Sequence, residues 1–429
     1  MNKNITAKRA AMGTTTHNHK EHTTANAPFH SAFFESLHKE QWKEVRLGEM
    51  IKTNCKSIDK NYPYNIVQYL DTGSITDNRI ESLQTFDLKD LPSRAKRLVQ
   101  DNDIIYSLVR PIQRHFGFIK NPSKNLVVST GFCTITTHQN ILDSKFLYYF
   151  LTLNKTIEFL DLIAEASTSA YPAIKPSDIE NLTIPLPPLE TQQRIAEILS
   201  SLDDKIDLLH RQNKTLESLS LTLFRHTFID NPKRNEWEEV TLNDICLKIA
   251  SGGTPSTRIK EYYSGKINWY STKELDDNFL FDSIQTITED GLENSSAKLF
   301  PKDTIIIAIY AAPTVGRLGI LTQDSAFNQA ACGLIIDETK CSKEFVFCFL
   351  KNERENLNLL ASGSAQQNLN VEKIKRYTLL LPDKTTLNDF QIQAKGFFDK
   401  IYNNSKQIQK LESLRDIMLP KLLSGEMEV

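Results

Sequence analysis

Two kinds of hydrophobic pattern alternate along the chain. The first is a short run of apolar, β-branched residues closed by polar ones. Asp103-Ile104-Ile105-Tyr106-Ser107-Leu108-Val109 and Thr304-Ile305-Ile306-Ile307-Ala308-Ile309-Tyr310 are examples. Such runs predict buried strands. The second is a long stripe of apolar residues mostly three and four apart. Over 191–227 it comprises Ile195, Leu199, Leu202, Ile206, Leu209, Leu216, Leu219 and Leu223, with no Pro or Gly between. Phe390, Ala394, Phe397, Ile401, Ile408, Leu411, Leu414 and Met418 repeat it, with Gly396 inside the pattern. Heptad-like spacing predicts long helices, the first roughly 55 Å at about 1.5 Å per residue. Each stripe has one polar break, Asn213 and Asn404. A buried Asn can fix coiled-coil register, and an Asn at a stripe edge can face solvent; the sequence allows both. Shorter helices are predicted over 144–166 and 342–360. Proline-containing stops follow them, Ile184-Pro185-Leu186-Pro187-Pro188 and Leu380-Leu381-Pro382, because proline cannot continue a hydrogen-bond ladder.

The two patterns occur twice, in the same order. Trp42 and Trp237 open similar segments 195 positions apart. The same offset carries Ser169-Ala170 onto Ser364-Ala365, Ile179 onto Ile374 and Pro187 onto Pro382. It carries Asp204-Lys205-Ile206 onto Asp399-Lys400-Ile401, and Leu216-Glu217-Ser218-Leu219 onto Leu411-Glu412-Ser413-Leu414. A period this long exceeds any solenoid unit, so the chain is a tandem duplication of a domain-sized piece. The fold class expected is α+β: two globular mixed α/β domains separated by a long antiparallel two-helix coiled coil, with pseudo-two-fold symmetry. Antiparallel pairing is expected because the connector 229–236 is short. The expected helix-pair interface is Ile195, Leu199, Leu202, Ile206, Leu209 and Leu216 against Phe397, Ile401, Ile408, Leu411 and Leu414.

Composition removes several classes. The longest apolar run, 305–312, is far short of the ~20 residues a membrane helix needs. Residues 1–20 contain no apolar h-region, so no secretory signal is read there. The 51 basic and 53 acidic residues nearly cancel, which excludes a basic field over the whole chain but not a local basic face. Cys55, Cys133, Cys246, Cys332, Cys341 and Cys348 form no C-x-x-C pair, which argues against a zinc site and a disulfide scaffold and for a cytoplasmic location. His17, His19 and His22 sit in a polar arm, so no metal site is expected.

Catalytic signatures are missing. No P-loop and no G-x-G-x-x-G is present; Gly265-Lys266 lacks the flanking residues. Asn61-Tyr62-Pro63-Tyr64 lacks the first proline of an amino-methyltransferase motif, and a turn is preferred. Binding chemistry is better represented. Between Lys89 and Lys124 eight basic residues stand against three acidic ones, with His115 and Phe116 among them. Arg and Lys neutralise phosphates, and Arg also bridges guanine edges; a solvated surface is the competing reading. Ser251-Gly252-Gly253-Thr254-Pro255-Ser256 is a turn of small hydroxyl residues that suits close backbone approach to phosphates or bases.

These residues resemble the specificity subunit of type I restriction–modification enzymes. The resemblance rests on the duplication, the exit run from Ile184 to Gln192 and the helix start Arg194-Ile195-Ala196-Glu197-Ile198-Leu199. The Gly-Gly-Thr-Pro-Ser turn with Trp269 and Leu275 is similar to one class of that family's recognition domains. Copy two departs at its exit, with Leu381-Pro382-Asp383 in place of Pro-Pro-Leu-Glu. A flexible extension is expected over 1–40, outside the resemblance; the resemblance implies target-recognition domains at 41–187 and 236–382, and long helices at 188–230 and 383–429. Each domain would read one half of a split double-stranded DNA target, and the helices would set the spacing. Two modification subunits would dock on the chain, bringing S-adenosylmethionine to methylate adenine; two restriction subunits with ATP and Mg could join. The chain itself would hold no cofactor and do no chemistry. Candidate readers are Arg94, Lys96, Arg97, Arg110, Arg114 and His115 in the first domain. In the second they are Thr254, Ser256, Lys273, Arg317, Asn328 and Gln329, the last two because amides pair with adenine. The alternatives are a stand-alone DNA methyltransferase or nuclease with degenerate motifs, and a coiled-coil adaptor that never touches DNA.

Overall fold

The computed structural model describes residues 42–167, 171–310, 314–362 and 369–429. The extension 1–40 and the repeated Ser-Ala pairs at 169–170 and 364–365 lie outside them. The chain divides into two compact units, Met1–Leu202 with Leu414–Val429, and Asp203–Ser413.

In the first unit the strands are β1 (Lys43–Arg46), β2 (Ile51–Thr53), β3 (Ile66–Leu70), β4 (Gln84–Asp87), β5 (Ala95–Leu98), β6 (Ile104–Ser107), β7 (Phe116–Phe118), β8 (Leu126–Ser129) and β9 (Phe132–Thr137). They build two four-stranded sheets, ordered β4-β3-β8-β5 and β2-β9-β6-β7. All four residues of β6 are buried, as a continuous apolar run requires of a central strand. Helices α1 (Ser144–Leu151) and α2 (Asn154–Glu165) cover the second sheet. Asp143 starts α1 by accepting the Lys145 and Phe146 amides at 2.9 Å. Strand β10 (Thr183–Leu186) returns antiparallel to β1 and feeds α3 (Leu189–Phe224). The buried Gln192 pins this exit. Its Oε1 accepts the Asp143 amide at 2.9 Å, and its Nε2 donates to the Pro187 carbonyl at 2.9 Å and the Ile141 carbonyl at 3.1 Å. The offset of 195 places buried Leu387 where Gln192 stands, so the second exit lacks this staple.

The second unit repeats the plan. Its strands are β11 (Glu238–Thr241), β12 (Cys246–Ser251), β13 (Tyr263–Tyr270), β14 (Asn278–Leu280), β15 (Gln285–Ile287), β16 (Ile305–Ala308), β17 (Leu318–Leu321), β18 (Ala326–Phe327) and β19 (Ala331–Ile336). They form sheets β12-β19-β16-β17-β14 and β15-β13-β18. Helices α4 (Lys343–Asn352) and α5 (Arg354–Ser362) follow, then β20 (Thr378–Leu381) against β11, then α6 (Lys384–Leu423). Each unit contains a parallel strand pair, β3 with β8 and β13 with β18, and the second unit has another, β14 with β17.

The long helices run antiparallel where they meet. In the first unit Ile195 and Leu199 share a core with Leu422 and Leu423. In the second, Ile206 and Leu209 cluster with Ile408 and Leu411, and Phe224 meets Phe390. Asn213 and Asn404 are buried and face each other. Asn404 Nδ2 donates to Asn213 Oδ1 at 2.9 Å, and Asn213 Nδ2 donates to Ser405 Oγ at 3.0 Å. The offset of 195 carries Asn213 onto Ile408 and Asn404 onto Leu209, so the polar pair and the neighbouring apolar pair are repeats of one contact. Two expected positions depart from the pairing surface. Leu414 is 44 % exposed, and the ring buried near Ile401 is Phe398 rather than the partly exposed Phe397; Leu219 of the first stripe is likewise 47 % exposed. A heptad stripe advances 3.5 residues per turn but an α-helix 3.6, so after Asn213 the buried face passes to Ser220, Phe224 and Phe228.

Candidate nucleic-acid interface

The parallel pairs β3 with β8 and β13 with β18 each deliver several chain segments to one end. In the first unit β8 ends at Ser129 and turns through Thr130 and Gly131 into β9. The Thr130 amide donates to the Arg94 carbonyl at 2.8 Å, and the Leu108 amide donates to the Gly131 carbonyl at 2.8 Å. This turn therefore ties the start of β5 to the end of β6. A Cβ on Gly131 would stand 2.8 Å from the Thr72 methyl, so a glycine admits the segment after β3 as well. Tyr69 donates its hydroxyl to Asp71 at 3.0 Å beside it.

Arg94 and Lys96 are exposed. Arg97 stands opposite Val128, a core residue, with its Nε buried and unbonded among the described residues; it takes the face opposite Lys96. Arg110 is exposed in a left-handed conformation, φ 46° and ψ 72°, immediately before Pro111. Its amide donates to the Pro172 carbonyl at 3.1 Å, and its carbonyl accepts the Gln113 amide at 2.9 Å. Few non-glycine residues adopt this conformation, and surrounding bonds must hold it. Arg114, also left-handed, is committed to the fold. Its Nε donates to Asp77 at 2.6 Å and an Nη to Asn154 at 2.9 Å. His115 is likewise engaged, with Nδ1 at 2.6 Å from the Ile75 carbonyl. The basic run thus separates into exposed side chains at 94, 96 and 110 and partly buried ones at 97, 114 and 115.

The second unit builds the same end with different residues. The Asn328 amide donates to the Tyr270 carbonyl at 2.9 Å, and the Ile309 amide to the Ala330 carbonyl at 2.8 Å, linking the turn after β18 to the ends of β13 and β16. The glycine loop after β12 closes on this turn. The Gly253 amide donates to the Phe327 carbonyl at 2.9 Å, Trp269 Nε1 donates to the Gly253 carbonyl at 2.9 Å, and the Tyr263 hydroxyl donates to the Pro255 carbonyl at 2.7 Å. The result sets the Thr254 hydroxyl as a donor to Gln329 Oε1. Thr254, Asn328 and Gln329, far apart in sequence, therefore meet. Exposed Lys273 follows β13 by three residues, and exposed Ser256 follows Thr254 by two. Arg317 lies partly buried at the base of the hairpin from β16 to β17.

An ionic cluster that sequence reading missed forms around Asp277. Asp277 accepts from Arg354, at 2.9 Å from one Nη, and lies 3.4 Å from Lys351 Nζ, which also pairs with Glu217 of α3. Burial acts to raise the Asp277 pKa, but the Arg354 hydrogen bonds and the two positive charges outweigh it and hold the carboxyl below its usual range. In the first unit Asp77 pairs with Arg114, Nε to Oδ1 at 2.6 Å. Nothing in local sequence marks either pair, because the partners lie 37 and 77 residues apart.

Among the described residues no set of three His, Cys, Asp or Glu side chains could hold a metal. Burial pushes the Cys133, Cys246, Cys332 and Cys341 thiols up to about 12, which keeps them protonated and poor nucleophiles at pH 7. Among the described residues no helix is long and apolar enough to cross a membrane.

Residues 39–218 and 234–414 each match the Type I restriction modification DNA specificity domain, and the chain belongs to that family. It is a type I specificity subunit with two recognition domains, and such subunits recognise DNA without being catalytic. It is 27 % identical to the HindI specificity subunit of Haemophilus influenzae, over 90 % of this chain and 99 % of the relative. It is 30 % identical to the MjaIX specificity subunit of Methanocaldococcus jannaschii, over 73 % of this chain and 76 % of the relative. The crystal structure of a type I S subunit from M. genitalium shares the fold with a TM-score of 0.55, at 17 % identity over 89 % of this chain and 96 % of that one.

Proposed function

We propose that each recognition domain reads one half of a bipartite double-stranded DNA target, using the segments gathered at the end of its parallel pair, β3 with β8 or β13 with β18. The observation that carries this is the repetition of one scaffold with different side chains. Thr130 and Gly131 tie Arg94 and Leu108 into the first end, two residues before Arg110, and Asn328 and Ala330 tie Tyr270 and Ile309 into the second, three residues before Lys273 and beside the Thr254·Gln329 contact. One backbone plan with two sets of outward groups is what reading two different sequences needs, because base edges are told apart by side chains while backbone contacts set position.

The paired helices α3 and α6 set the spacing between half-sites, and the chain docks two adenine-methyltransferase subunits. Those partners carry S-adenosylmethionine; ATP and Mg belong to a motor-nuclease subunit where one joins. The domains correspond to 41–187 and 236–382 and the helical segments to 188–230 and 383–429. The assembly works on cytoplasmic DNA. The test is to express the chain with its modification subunits and map methylated adenine genome-wide. A split motif of two defined halves around a fixed spacer is expected. A continuous motif, or methylation by this chain alone, would overturn the reading.

A further inference from the structure

Resting on that reading of the second recognition domain, the geometry points to Gln329 as the reader of one adenine, with Thr254 as its positioning residue. A glutamine reads adenine by accepting from N6 with its carbonyl oxygen and donating to N7 with its amide. That requires the amide to face one way round. An exposed glutamine ordinarily rotates freely, and fixing it has an entropic cost. Here Gln329 sits at the tip of a turn whose neighbours are bonded on both sides. The Asn328 amide reaches Tyr270, the Asn328 side chain accepts the Ala330 amide at 3.1 Å, and the Ala330 carbonyl accepts from Ile309. The Thr254 hydroxyl then donates to Gln329 Oε1. The flipped amide would donate to the same hydroxyl instead, so Thr254 fixes where the amide sits and the pairing with adenine selects its orientation. One lone pair of Oε1 and both Nε2 hydrogens stay unclaimed by the described residues, which is the pattern adenine needs.

The loop that holds Thr254 is built for this approach. A Cβ on Gly252 would collide with the Phe327 carbonyl, and one on Gly253 with the Ser296 carbonyl, so only glycines bring Thr254 against the turn. Trp269 and Tyr263 then lock the loop from behind. Asn328 is the weaker candidate, because its side chain folds back onto its own turn through the Ala330 amide and is partly buried where Gln329 is exposed.

The experiment uses the whole complex of this chain with its modification subunits, selecting bound duplexes from a library randomised across both half-sites. Gln329→Ala should relax one A·T position in one half-site by roughly 5- to 150-fold, leaving the spacer and the other half-site intact. Gln329→Glu, of equal size, should move that same position from adenine toward cytosine, because a carboxylate accepts from cytosine N4 but cannot donate to N7. Thr254→Val should blur the same position, and Thr254→Ser should restore it. Unchanged selectivity, equal weakening on every sequence, or relaxation at a G·C position would each overturn the assignment. A wild-type complex that selects no split motif would instead sink the bipartite reading itself.

Discussion

Arg110 shows how much a single residue can be asked to do. Its left-handed backbone costs about 1–2 kcal/mol for a residue with a Cβ, and two backbone hydrogen bonds keep it there. Arg110→Gly would remove the side chain and the strain together. The expected outcome is a fold as stable as the parent or up to about 1 kcal/mol more stable, with one guanine position in one half-site relaxed. Thermal melts and duplex selection check the two halves of that statement. Uniform loss on all duplexes, steepening with salt, would mark Arg110 as a phosphate contact instead. The sequence made the arginines visible as a local excess of charge, but it could not sort them. Arg114 and Arg97 stand in the same run as Arg94 and Arg110, yet one is held by Asp77 and the other faces Val128. Charge counting sees neither a partner 37 residues away nor the face of a strand. The meeting of Thr254 with Gln329, across 75 residues, was illegible for the same reason.

At the scale of elements, periodicity made both long helices and the buried strands of each repeat legible, and the heptad approximation misplaced Leu219, Leu414 and Phe397. The Asn213·Asn404 layer was ambiguous from sequence because an amide suits a stripe edge as well as a register lock; burial decides for the lock. Replacing Asn404 alone by Leu leaves Asn213 Oδ1 without its donor and should cost about 1–3 kcal/mol in urea melts. The double change Asn213→Ile with Asn404→Leu copies the Leu209·Ile408 layer and should recover most of that loss, at the expense of a unique register. A double variant no more stable than the single would refute the account.

The ionic cluster adds a pH signature. Asp277 titrates below the usual carboxylate value, so its contribution is fully present above about pH 4 and is lost as pH falls through the lowered value. Stability measured at pH 7, 4 and 2.5 should fall across the acid interval, and Asp277→Asn should remove part of that fall while lowering stability at pH 7. An identical acid slope in the variant would contradict it.

For the whole molecule, the duplication carries the most consequence, and it was readable directly from a constant offset. Two copies of one reader plan were free to diverge at their strand ends while the helices kept their shared pattern, including the 204–206 and 399–401 blocks. If α3 and α6 set the distance between half-sites, their length is a coordinate of the target. Adding four residues to each helix lengthens it by about 6 Å. That is close to two base-pair steps of about 3.4 Å each. The methylated motif should then keep both half-site sequences and gain one to three base pairs of spacer. The insertion leaves the groups at the strand ends untouched, so it separates spacing from reading. A motif with the parent spacer would show that something other than helix length sets it. Loss of both half-sites together would show that the readers depend on the helices for more than their distance.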